Sequence, residues 1–515
     1  MIREIILKHE KRINRISEIV PGFLIWMILT SPFWMSFHFP TLIGNLLILL
    51  AVYWFYRAVL FTFGIFIGYN RYKSDVRINW LNRCNKLDFA KLPNQESLPQ
   101  TTKLPKHLIA IPIGGCKYET LKSTLDAIVN QNYPLENIYL SLSFEERLVK
   151  KDLEYYKNIQ KKIKDEFKQF GNRLMIFEHP ADLPGEVIGA AANRTWANKK
   201  AVEVLEKRGE SIADFLTTSP DEDLIFHKEY LGVVSYKYLN SKRRKRKFFQ
   251  TALYLFTNNY WQVPKLIRAW SMSLSLPVLA SSVTHVHDRE TWSCYTVSLD
   301  ILRKVNYWDT SIGIDDTPFF WRPYDYFDGD FECVTFFVPL FADSVYHPNK
   351  IENYKAQYEQ LVRWGWGVVT IPIAIKVLLH NAKIPLRSKF RKLRVMFEIV
   401  VLFKVTAILF TVALPIIGLV SVNFRHSTLA YAIPQTLAII MNMLTLLIIP
   451  NMYYKWKLLP KFPTDISKWK IVRQFILEIP LHLVILYTYA FFPFLEGPTK
   501  MMFGKKYSYI ITEKM

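Results

Sequence analysis

The stretch His107–Ser143, "HLIAIPIGGCKYETLKSTLDAIVNQNYPLENIYLSLS", combines a strand pattern, a helix pattern and a second strand pattern. Its first part is a short run of β-forming residues that ends at Pro112 and a glycine pair. Apolar residues then recur at helical spacing, and a second apolar strand follows. This order predicts a βαβ unit and a parallel sheet whose ligand lies at the carboxyl ends of its strands. An α/β domain that binds no nucleotide has the same pattern, so this stretch alone leaves both open.

A further strand pattern, "ADFLTTS", ends at three consecutive acids, Asp221, Glu222 and Asp223. Strand alternation points Asp221 and Asp223 the same way. Two such carboxylates suit a hard cation, Mg²⁺ or Mn²⁺, that keeps coordination places open for substrate phosphates. The sequence has no Walker lysine and no glycine-rich phosphate loop, which argues against a P-loop kinase. An acidic solvated turn is the alternative interpretation, and the three residues alone do not decide between the two.

Composition indicates a membrane protein. Of the 515 residues, 50% are hydrophobic and 15% aromatic, yet the formal net charge is +22. A nucleic-acid-binding protein could carry this charge but would not need long uncharged apolar runs, so no nucleic-acid partner is expected. Pro21–Tyr69 has Arg57 as its only full charge, and a tight connection is expected at Phe39–Thr41. This pattern predicts two membrane-crossing helices of about 20 residues each. Three more apolar runs, each with two charges or fewer, follow near the C-terminus: Glu398–Val420, Thr428–Pro450 and Phe475–Leu495.

The distribution of Lys and Arg predicts the orientation. Basic residues cluster before the first apolar run, before the third and after the fourth, whereas Ser421–Ser427 has only Arg425. The basic segments, and the chain from about Asn70 to Arg394, are therefore expected in the cytoplasm, most naturally at the plasma membrane. Five crossings would place the tail outside although it carries Lys500, Lys505, Lys506 and Lys514. We therefore expect the last apolar segment, which contains Pro480 and Pro493, to be re-entrant or interfacial.

The first apolar run is long and has no small-residue cleavage site, so it is expected to remain as an anchor. The four cysteines, Cys84, Cys116, Cys294 and Cys333, form no CxxC pair and are expected to be free thiols. The predicted organisation comprises a basic segment with a hairpin (1–70), a cytoplasmic domain (71–370), an interfacial helix with a basic linker (371–396), membrane segments (397–495) and a basic tail (496–515).

Between the membrane segments the chain resembles the membrane-embedded family 2 glycosyltransferases, which include cellulose, chitin and hyaluronan synthases. The resemblance covers about residues 105–370 and rests on four motifs in order: "IPIGGCKYETLKSTLDAIVNQNYP", "DEDLIFHKEYL", "WDTSIGIDDTPFFWR" and "QYEQLVRWGWG". It implies a glycosyltransferase-A type domain, a Rossmann-like mixed sheet, inserted between transmembrane helices. It also implies inverting, metal-dependent sugar transfer in polysaccharide or glycolipid synthesis.

The resemblance also implies a role for individual residues. Pro112 and Glu119 occupy donor-binding positions, and Asp221 and Asp223 form the DxD motif that holds Mg²⁺ or Mn²⁺ against the donor diphosphate. Asp316 stands where the catalytic base does. The QxxRW motif of processive members supplies acceptor-binding and diphosphate-binding residues: Gln360, Arg363 and Trp364. For Arg363 and Trp364 a membrane-proximal cation and an interface aromatic are the alternatives, but Gln360 at the required spacing favours the motif.

The sequence departs from the family pattern at two places. The family has an aspartate after the second strand that holds the nucleobase, whereas this chain reads "LSLSFEERL", so Glu145 or Glu146 would take that role. The acidic pair is Asp315-Asp316 where the family has Glu-Asp. The implied partners are a UDP- or GDP-sugar, a glycan or lipid-linked acceptor and membrane lipids, with the sugar undecided.

Other features and functions remain open at this stage. Asn193 follows a small-residue stretch and is a candidate to face the donor. The basic run Lys242–Lys247 could bind anionic headgroups, although a solvated loop accounts for it equally simply. A catalytically inactive scaffold of the same fold, or a transporter, is the alternative to a glycosyltransferase.

Overall fold

The computed structural model describes residues 9–115, 117–463 and 467–507. Cys116 and the terminal basic residues Arg3, Lys8 and Lys514 lie outside the described residues. The chain divides into two compact units. We call them the helical unit (Met1–Tyr69, Val263–Thr284 and Gln357–Lys506) and the α/β unit (Asn70–Gln262, His285–Ala356 and Tyr507–Met515).

Seven strands of the α/β unit form a mixed sheet in the order β3-β2-β1-β4-β8-β6-β9, and three form a small second sheet, β5-β10-β7. The strands are β1 (Lys106–Ile113), β2 (Ile138–Glu145), β3 (Leu174–His179), β4 (Phe215–Thr218), β5 (Ile225–Phe226), β6 (Lys247–Thr251), β7 (Tyr254–Leu255), β8 (Thr296–Ser298), β9 (Glu332–Phe336) and β10 (Leu340–Phe341). In the larger sheet, β8 is antiparallel to both β4 and β6, while the other described pairs are parallel.

The predicted βαβ unit is present, because β1 and β2 pair in parallel from His107–Ile138 to Ile113–Phe144. The helix between them, Tyr118–Val129, buries Leu121, Leu125 and Ile128. Every residue of β1 and β2 is buried, as expected for parallel strands covered on both faces. The predicted fold class, an α/β domain with a mixed sheet in a chain of apolar helices, is confirmed.

Helices cover this sheet and connect its strands. They are Trp80–Asn85, Tyr118–Val129, Glu146–Lys151, Leu153–Glu166, Ala190–Lys207, Tyr230–Asn240, Leu299–Lys304, Asp316–Phe319 and Trp321–Tyr326.

Cys84, Cys294 and Cys333 are buried free thiols.

The helical unit and the segments that enter it contain further helices, several of them of 20 residues or more. They are Glu10–Trp34, Pro40–Asp75, Lys265–Thr284, Lys350–Gly365, Thr370–His380, Leu386–Met396, Phe403–Val420, Val422–Arg425, Thr428–Lys457, Lys468–Tyr487 and Phe492–Met502. Among the described residues, seven helical segments are long and apolar enough to cross a membrane. Five correspond to the predicted runs. The two that the sequence pattern missed are Lys265–Thr284 and Lys350–His380, because serines interrupt the first and charged residues begin the second.

Topology restricts the helix Lys265–Thr284. The chain before this helix contributes β6, the chain after it contributes β8, and these two strands pair in one sheet, so both ends of the helix lie on the same side of any membrane. A single crossing between them is therefore excluded. Its most apolar stretch is also the most buried among the seven segments, at 61%, which fits a helix packed within the protein rather than one exposed to lipid.

The last apolar segment is interrupted at one of the two prolines that the sequence analysis named, Pro493, and not at the other, Pro480. Pro480 lies inside the helix Lys468–Tyr487, and the break occurs before Phe492–Met502, next to Pro493. After the break the chain packs closely on other helices: a Cβ on Gly22 would lie 2.6 Å from the carbonyl oxygen of Pro498. The re-entrant or interfacial placement of this segment remains a prediction.

Two charges that interrupt the apolar runs pair with each other. Arg57 Nη2 lies 2.6 Å from Glu398 Oε1, and the two side chains are 24% and 7% exposed. Arg394 lies further from the same carboxylate, at 3.7 Å. The pair joins the second predicted run to the third, and a buried charge of this kind is tolerated only when it is compensated.

The basic run Lys242–Lys247 is not a free cationic surface. Arg244 is fully buried, and its guanidinium donates to the carbonyls of Asn94, Tyr238 and Leu239. Other members of the run pair with acids of the same unit: Arg243 and Arg246 with Asp330, Lys245 with Asp300 and Lys247 with Glu332. These contacts make the run a structural feature of the unit, so headgroup binding has no support here.

We predict that Arg57→Leu lowers the free energy of unfolding of the helical unit by about 3 kcal/mol, because it leaves the buried Glu398 carboxylate with a hydrogen bond from Tyr53 and a more distant cation, Arg394. The double variant Arg57→Leu/Glu398→Leu should recover most of that loss. Thermal unfolding of the full chain in detergent measures both, with the exposed Arg425→Leu as control. Equal melting of the single and double variants would show that the pair does not stabilise the unit.

Candidate active site

The candidate site lies where the connections of the large sheet change direction. From β1 the chain leads to β2 and β3 on one side, and β4 pairs with the other side of β1. In open α/β sheets a ligand binds at such a switch point, outside the carboxyl ends of the strands. The segments at these ends are Gly114-Gly115 after β1 and the acidic triplet after β4.

The three acids of the triplet have different environments. Glu222 is used structurally: its Oε2 accepts from Gly114 N at 2.8 Å, and its carbonyl accepts from Thr124 Oγ1 at 2.9 Å. These bonds fix the triplet to the end of β1 and to the following helix. The side chain of Asp221 is 45% exposed, whereas Asp223 is only 3% exposed.

The buried guanidinium of Arg194 connects two acidic segments that are distant in sequence. Its Nη2 donates to Asp221 Oδ1 at 2.6 Å, and its Nη1 lies 2.7 Å from Asp315 Oδ2. The Arg194 side chain is 2% exposed. Burial opposes its charge, but Asp315 and Asp221 outweigh burial and raise the pKa of Arg194, so it stays protonated.

Close backbone packing brings these segments together. Arg194 lies in the first turns of the helix Ala190–Lys207, and a Cβ on the preceding Gly189 would lie 3.1 Å from the carbonyl oxygen of Gly313. Val187 N also donates to Thr310 O at 2.8 Å. A side chain at Gly189 would push the two backbones apart by a few tenths of an ångström, so glycine favours the close approach of the Asp315 loop to the start of the helix.

The two residues of the acidic pair, Asp315 and Asp316, have different environments. Burial raises the pKa of Asp315 to about 6 against the effect of Arg194, with Asp316 and Asp221 adding to the rise. Asp316 begins a short helix, and backbone amides hold its carboxylate: Ser293 N donates to Oδ2 at 2.9 Å and Thr317 N to Oδ1 at 2.8 Å. The carboxylate of Asp315 is thus held by the charge of Arg194, and the carboxylate of Asp316 is held by hydrogen bonds from backbone amides.

Three predicted donor-binding residues occupy different positions. Pro112 is buried inside β1, and Glu119 is exposed in the first turn of the following helix. Asn193 is 1% exposed, and its Nδ2 donates to Ser143 O at 3.0 Å. Asn193 Oδ1 and Ser143 Oγ are buried and have no hydrogen-bond partner among the described residues. Unpaired buried oxygens are costly, so these two are candidates to receive a ligand donor.

The two glutamates proposed for the nucleobase position have separate partners. Glu145 ends β2, and its Oε2 accepts from Arg147 Nη2 at 2.7 Å and lies 3.4 Å from His179 Nδ1. The other ring nitrogen, His179 Nε2, lies 2.9 Å from Glu186 Oε2. Glu146 accepts from Ala181 N and pairs with Lys150, both at 2.7 Å. His179 at the end of β3 therefore links Glu145 to Glu186, a contact the sequence pattern did not indicate.

The QxxRW residues lie in the helix Lys350–Gly365, in the part assigned to the helical unit. Gln360 is 7% exposed, and its Oε1 accepts from Gln357 Nε2 at 3.1 Å. Trp364 packs against an apolar cluster that includes Ala269, Trp270 and Leu361. The motif therefore belongs to the helical unit, whereas the sequence predicted it at the end of the domain 71–370.

The end of the first motif is structural. Gln131 Nε2 donates to His227 O at 3.0 Å, and its Oε1 accepts from Leu231 N at 3.1 Å. Tyr133 donates to Pro105 O at 2.7 Å. The Gln131 contacts tie the end of the helix Tyr118–Val129 to the segment after the acidic triplet, and the Tyr133 contact ties it to the residue before β1.

The residues of the candidate site fit a shared cation better than an all-protein metal centre. Among the described residues, no group of three or more His, Cys, Asp or Glu side chains could hold a metal ion. Asp221 nevertheless presents a half-exposed carboxylate that already attracts a cationic group. An ion here would need further oxygens from a bound substrate, which is the usual manner of Mg²⁺ binding.

Comparison with known proteins gives limited similarity. No family model matches the chain, and no curated protein matches it in sequence. Solved structures with a similar backbone include the mannosyltransferase PcManGT from Pyrobaculum calidifontis in complex with GDP-Man and Mn²⁺, at 13% identity and a TM-score of 0.41, covering 80% of this chain and 99% of that one.

Two further matches are weaker. TarS (residues 1–349) from S. aureus in complex with UDP-GlcNAc matches at 12% identity with a TM-score of 0.33, covering 78% of this chain and 93% of that one. GalNAc-T7 with UDP, GalNAc and Mn²⁺ matches at 8% identity with a TM-score of 0.29, covering 51% of each chain. These overlaps are too loose to carry a functional argument, which depends on the residues of the site.

We predict that His179 stabilises the fold only at lower pH. Burial disfavours the charged imidazole, but Glu145 and Glu186 outweigh burial and raise the pKa of His179. The stabilisation is therefore complete below the ordinary histidine pKa of about 6.5 and is lost as pH rises through the raised value. His179→Asn should cost about 1 kcal/mol of unfolding free energy at pH 5.5 and progressively less toward pH 9.

Thermal unfolding of the full chain at several pH values measures this difference. His287→Asn is the control, because its side chain is 71% exposed. A cost that is constant from pH 5.5 to pH 9 would contradict the charged contact.

Proposed function

We propose that the chain is an inverting, metal-dependent glycosyltransferase of the family 2 type. It transfers a sugar from a UDP- or GDP-sugar to a glycan or lipid-linked acceptor at a membrane. The observation that carries this proposal is the convergence of Asp221 and Asp315 on the buried Arg194 at the switch point of an α/β sheet. Acidic side chains at this edge are suited to a nucleotide-sugar diphosphate, a cation and an acceptor hydroxyl.

Asp316 is the proposed base. It accepts the proton of the acceptor hydroxyl while the hydroxyl oxygen forms a bond to the anomeric carbon and the nucleoside diphosphate leaves from the opposite face. One displacement of this kind inverts the configuration. The bonds from Ser293 N and Thr317 N hold the Asp316 carboxylate in one orientation, and a fixed base is more effective than a mobile one.

Asp221 and Asp223 are the proposed residues for Mg²⁺ or Mn²⁺. The ion, when bound, neutralises negative charge that develops on the leaving diphosphate. Arg194 has a separate role, since its guanidinium holds Asp221 toward the switch point and balances the buried charge of Asp315. This arrangement keeps two carboxylates close together, which would otherwise repel each other.

Donor recognition is assigned to the ends of β1, β2 and β3. Glu145, held by Arg147 and His179, is the proposed nucleobase contact because it ends β2 next to the switch point. Asn193 Oδ1 is a suitable acceptor for a donor hydroxyl, since it is buried and unpaired among the described residues. Pro112, Glu119 and Glu146 are retained as proposed donor-side residues from the family resemblance.

The acceptor side and the cellular setting are also proposals. Gln360, Arg363 and Trp364 are assigned to the acceptor or diphosphate by the QxxRW pattern. A cytoplasmic α/β unit at the plasma membrane is inferred from the basic segments. Polysaccharide or glycolipid synthesis, with or without processive translocation, follows from this placement.

A catalytically inactive scaffold of the same fold is the second candidate. It is favoured by one observation: Arg194 already pairs with Asp221, the carboxylate that a metal would need. Donor hydrolysis decides between the two, because an inactive scaffold would release no nucleotide.

The purified full chain should hydrolyse a UDP- or GDP-sugar in the presence of divalent metal. Chelation should abolish nucleotide release, and Mg²⁺ or Mn²⁺, but not added K⁺, should restore it. Asp221→Asn should weaken both metal dependence and donor binding, because the amide is a poor ligand for a hard cation. Nucleotide release measured across a panel of donors tests this; full activity in excess chelator would remove Asp221 and Asp223 from the metal role.

Asp316→Asn keeps the shape of the side chain but removes the proton acceptor. Transfer should fall by about 10²-fold to 10⁴-fold while donor binding changes little. Asp309→Asn is the matched control, since Asp309 belongs to the same loop and its side chain is 37% exposed. The measurements are kcat for transfer and Kd for the donor. If Asp316→Asn transfers sugar at nearly the wild-type rate, Asp316 is not the base and Asp315 becomes the candidate.

A further inference from the structure

The segment Thr291–Cys294 contacts the proposed base on two sides. Thr291 Oγ1 donates to the carbonyl of Asp316 at 2.7 Å, and Ser293 N donates to the Asp316 carboxylate at 2.9 Å. Ser293 has a φ of +50°, an unfavourable backbone conformation for a residue with a side chain. The residue between the two contacts, Trp292, is therefore attached to backbone that lies directly against Asp316.

Hydrogen bonds from two buried side chains hold the segment Thr291–Cys294 in place. The buried hydroxyl of Tyr254 donates to Cys294 O at 2.5 Å and accepts from Cys294 N at 3.2 Å. The buried side chain of Gln250 donates through Nε2 to the carbonyls of Trp292 and Cys294. Tyr254 and Gln250 are 1% and 0% exposed, so the support is part of the core.

The indole of Trp292 packs on Tyr254 but is not enclosed by it. The two ring centroids are 4.3 Å apart with an angle of 42° between the planes. Trp292 is nevertheless only half-buried, so part of the surface of its ring is accessible to a ligand. A rigid, partly accessible aromatic surface next to a proposed base is suited to binding rather than to packing alone.

We propose that Trp292 is an acceptor-binding residue, and that its indole stacks on the sugar ring that carries the attacking hydroxyl. This inference rests on the proposed function and deepens it by naming a binding contact on the acceptor side of Asp316. The C–H face of a pyranose carries partial positive charge and matches the negative face of an indole. The acceptor is thereby a carbohydrate ring near its reacting end, rather than a peptide or a simple lipid alcohol.

The test uses acceptor surrogates with a single sugar ring. Nucleotide release without acceptor is measured first, followed by transfer to a panel of octyl glycosides, in the full chain and in Trp292→Ala, Trp292→Phe and the control Trp261→Ala. Trp261 is also half-buried and packs on a tyrosine of the same unit, Tyr260. Thermal unfolding confirms that each variant is folded.

Trp292→Ala should raise the KM for the octyl glycoside about tenfold or more, with nucleotide release within about twofold of wild type. Trp292→Phe should restore part of the lost affinity, because it keeps an aromatic face. An unchanged acceptor KM in Trp292→Ala, or a loss of nucleotide release equal to the loss of transfer, would overturn the proposal. Absence of nucleotide release by the wild-type chain would instead overturn the proposed function itself, so the two failures are distinguishable.

Discussion

The buried guanidinium of Arg194 is the contact on which the candidate site depends. It bridges Asp221, which follows β4, and Asp315, which lies almost a hundred residues later in the chain. A buried charge of this kind is tolerated only when opposite charges surround it. Because Arg194 lies on a rigid helix that follows a close glycine contact, it sets the position of both carboxylates. Contacts within the chain therefore arrange the acidic edge of the sheet, an arrangement that lowers the cost of ordering the proposed substrate complex.

Charge compensation also organises the helical unit. Arg57 interrupts the first long apolar region, and Glu398 begins a later apolar run. Each would be an expensive charge by itself in a nonpolar environment, but they lie 2.6 Å apart. Polar residues in apolar helices thus act as specific contacts between helices, because hydrophobicity alone gives little preference for one partner over another. The sequence shows both charges but does not reveal that they pair.

The sequence predicted the local elements well and the long-range contacts poorly. The strand, helix and strand from His107 to Ser143 could be predicted because periodicity and glycine placement are local signals. The acidic triplet was found for the same reason. Arg194 gave no signal, since burial and pairing depend on residues far along the chain. The family resemblance implied a mixed sheet, but the residues of β8 did not show that this strand is antiparallel, because strand direction is decided by the connections and not by the three residues of the strand.

The two adjacent aspartates show how backbone placement divides similar side chains between different roles. Asp315 lies in the buried bridge, where burial raises its pKa to about 6. Asp316 is one residue further along, at the start of a helix, and two backbone amides hold its carboxylate. A base must be ionised and still able to accept a proton, whereas a carboxylate that neutralises an arginine is committed to that partner. Backbone amides therefore hold the carboxylate of Asp316, the proposed base, while the carboxylate of Asp315 faces Arg194, a division that follows from where the helix begins.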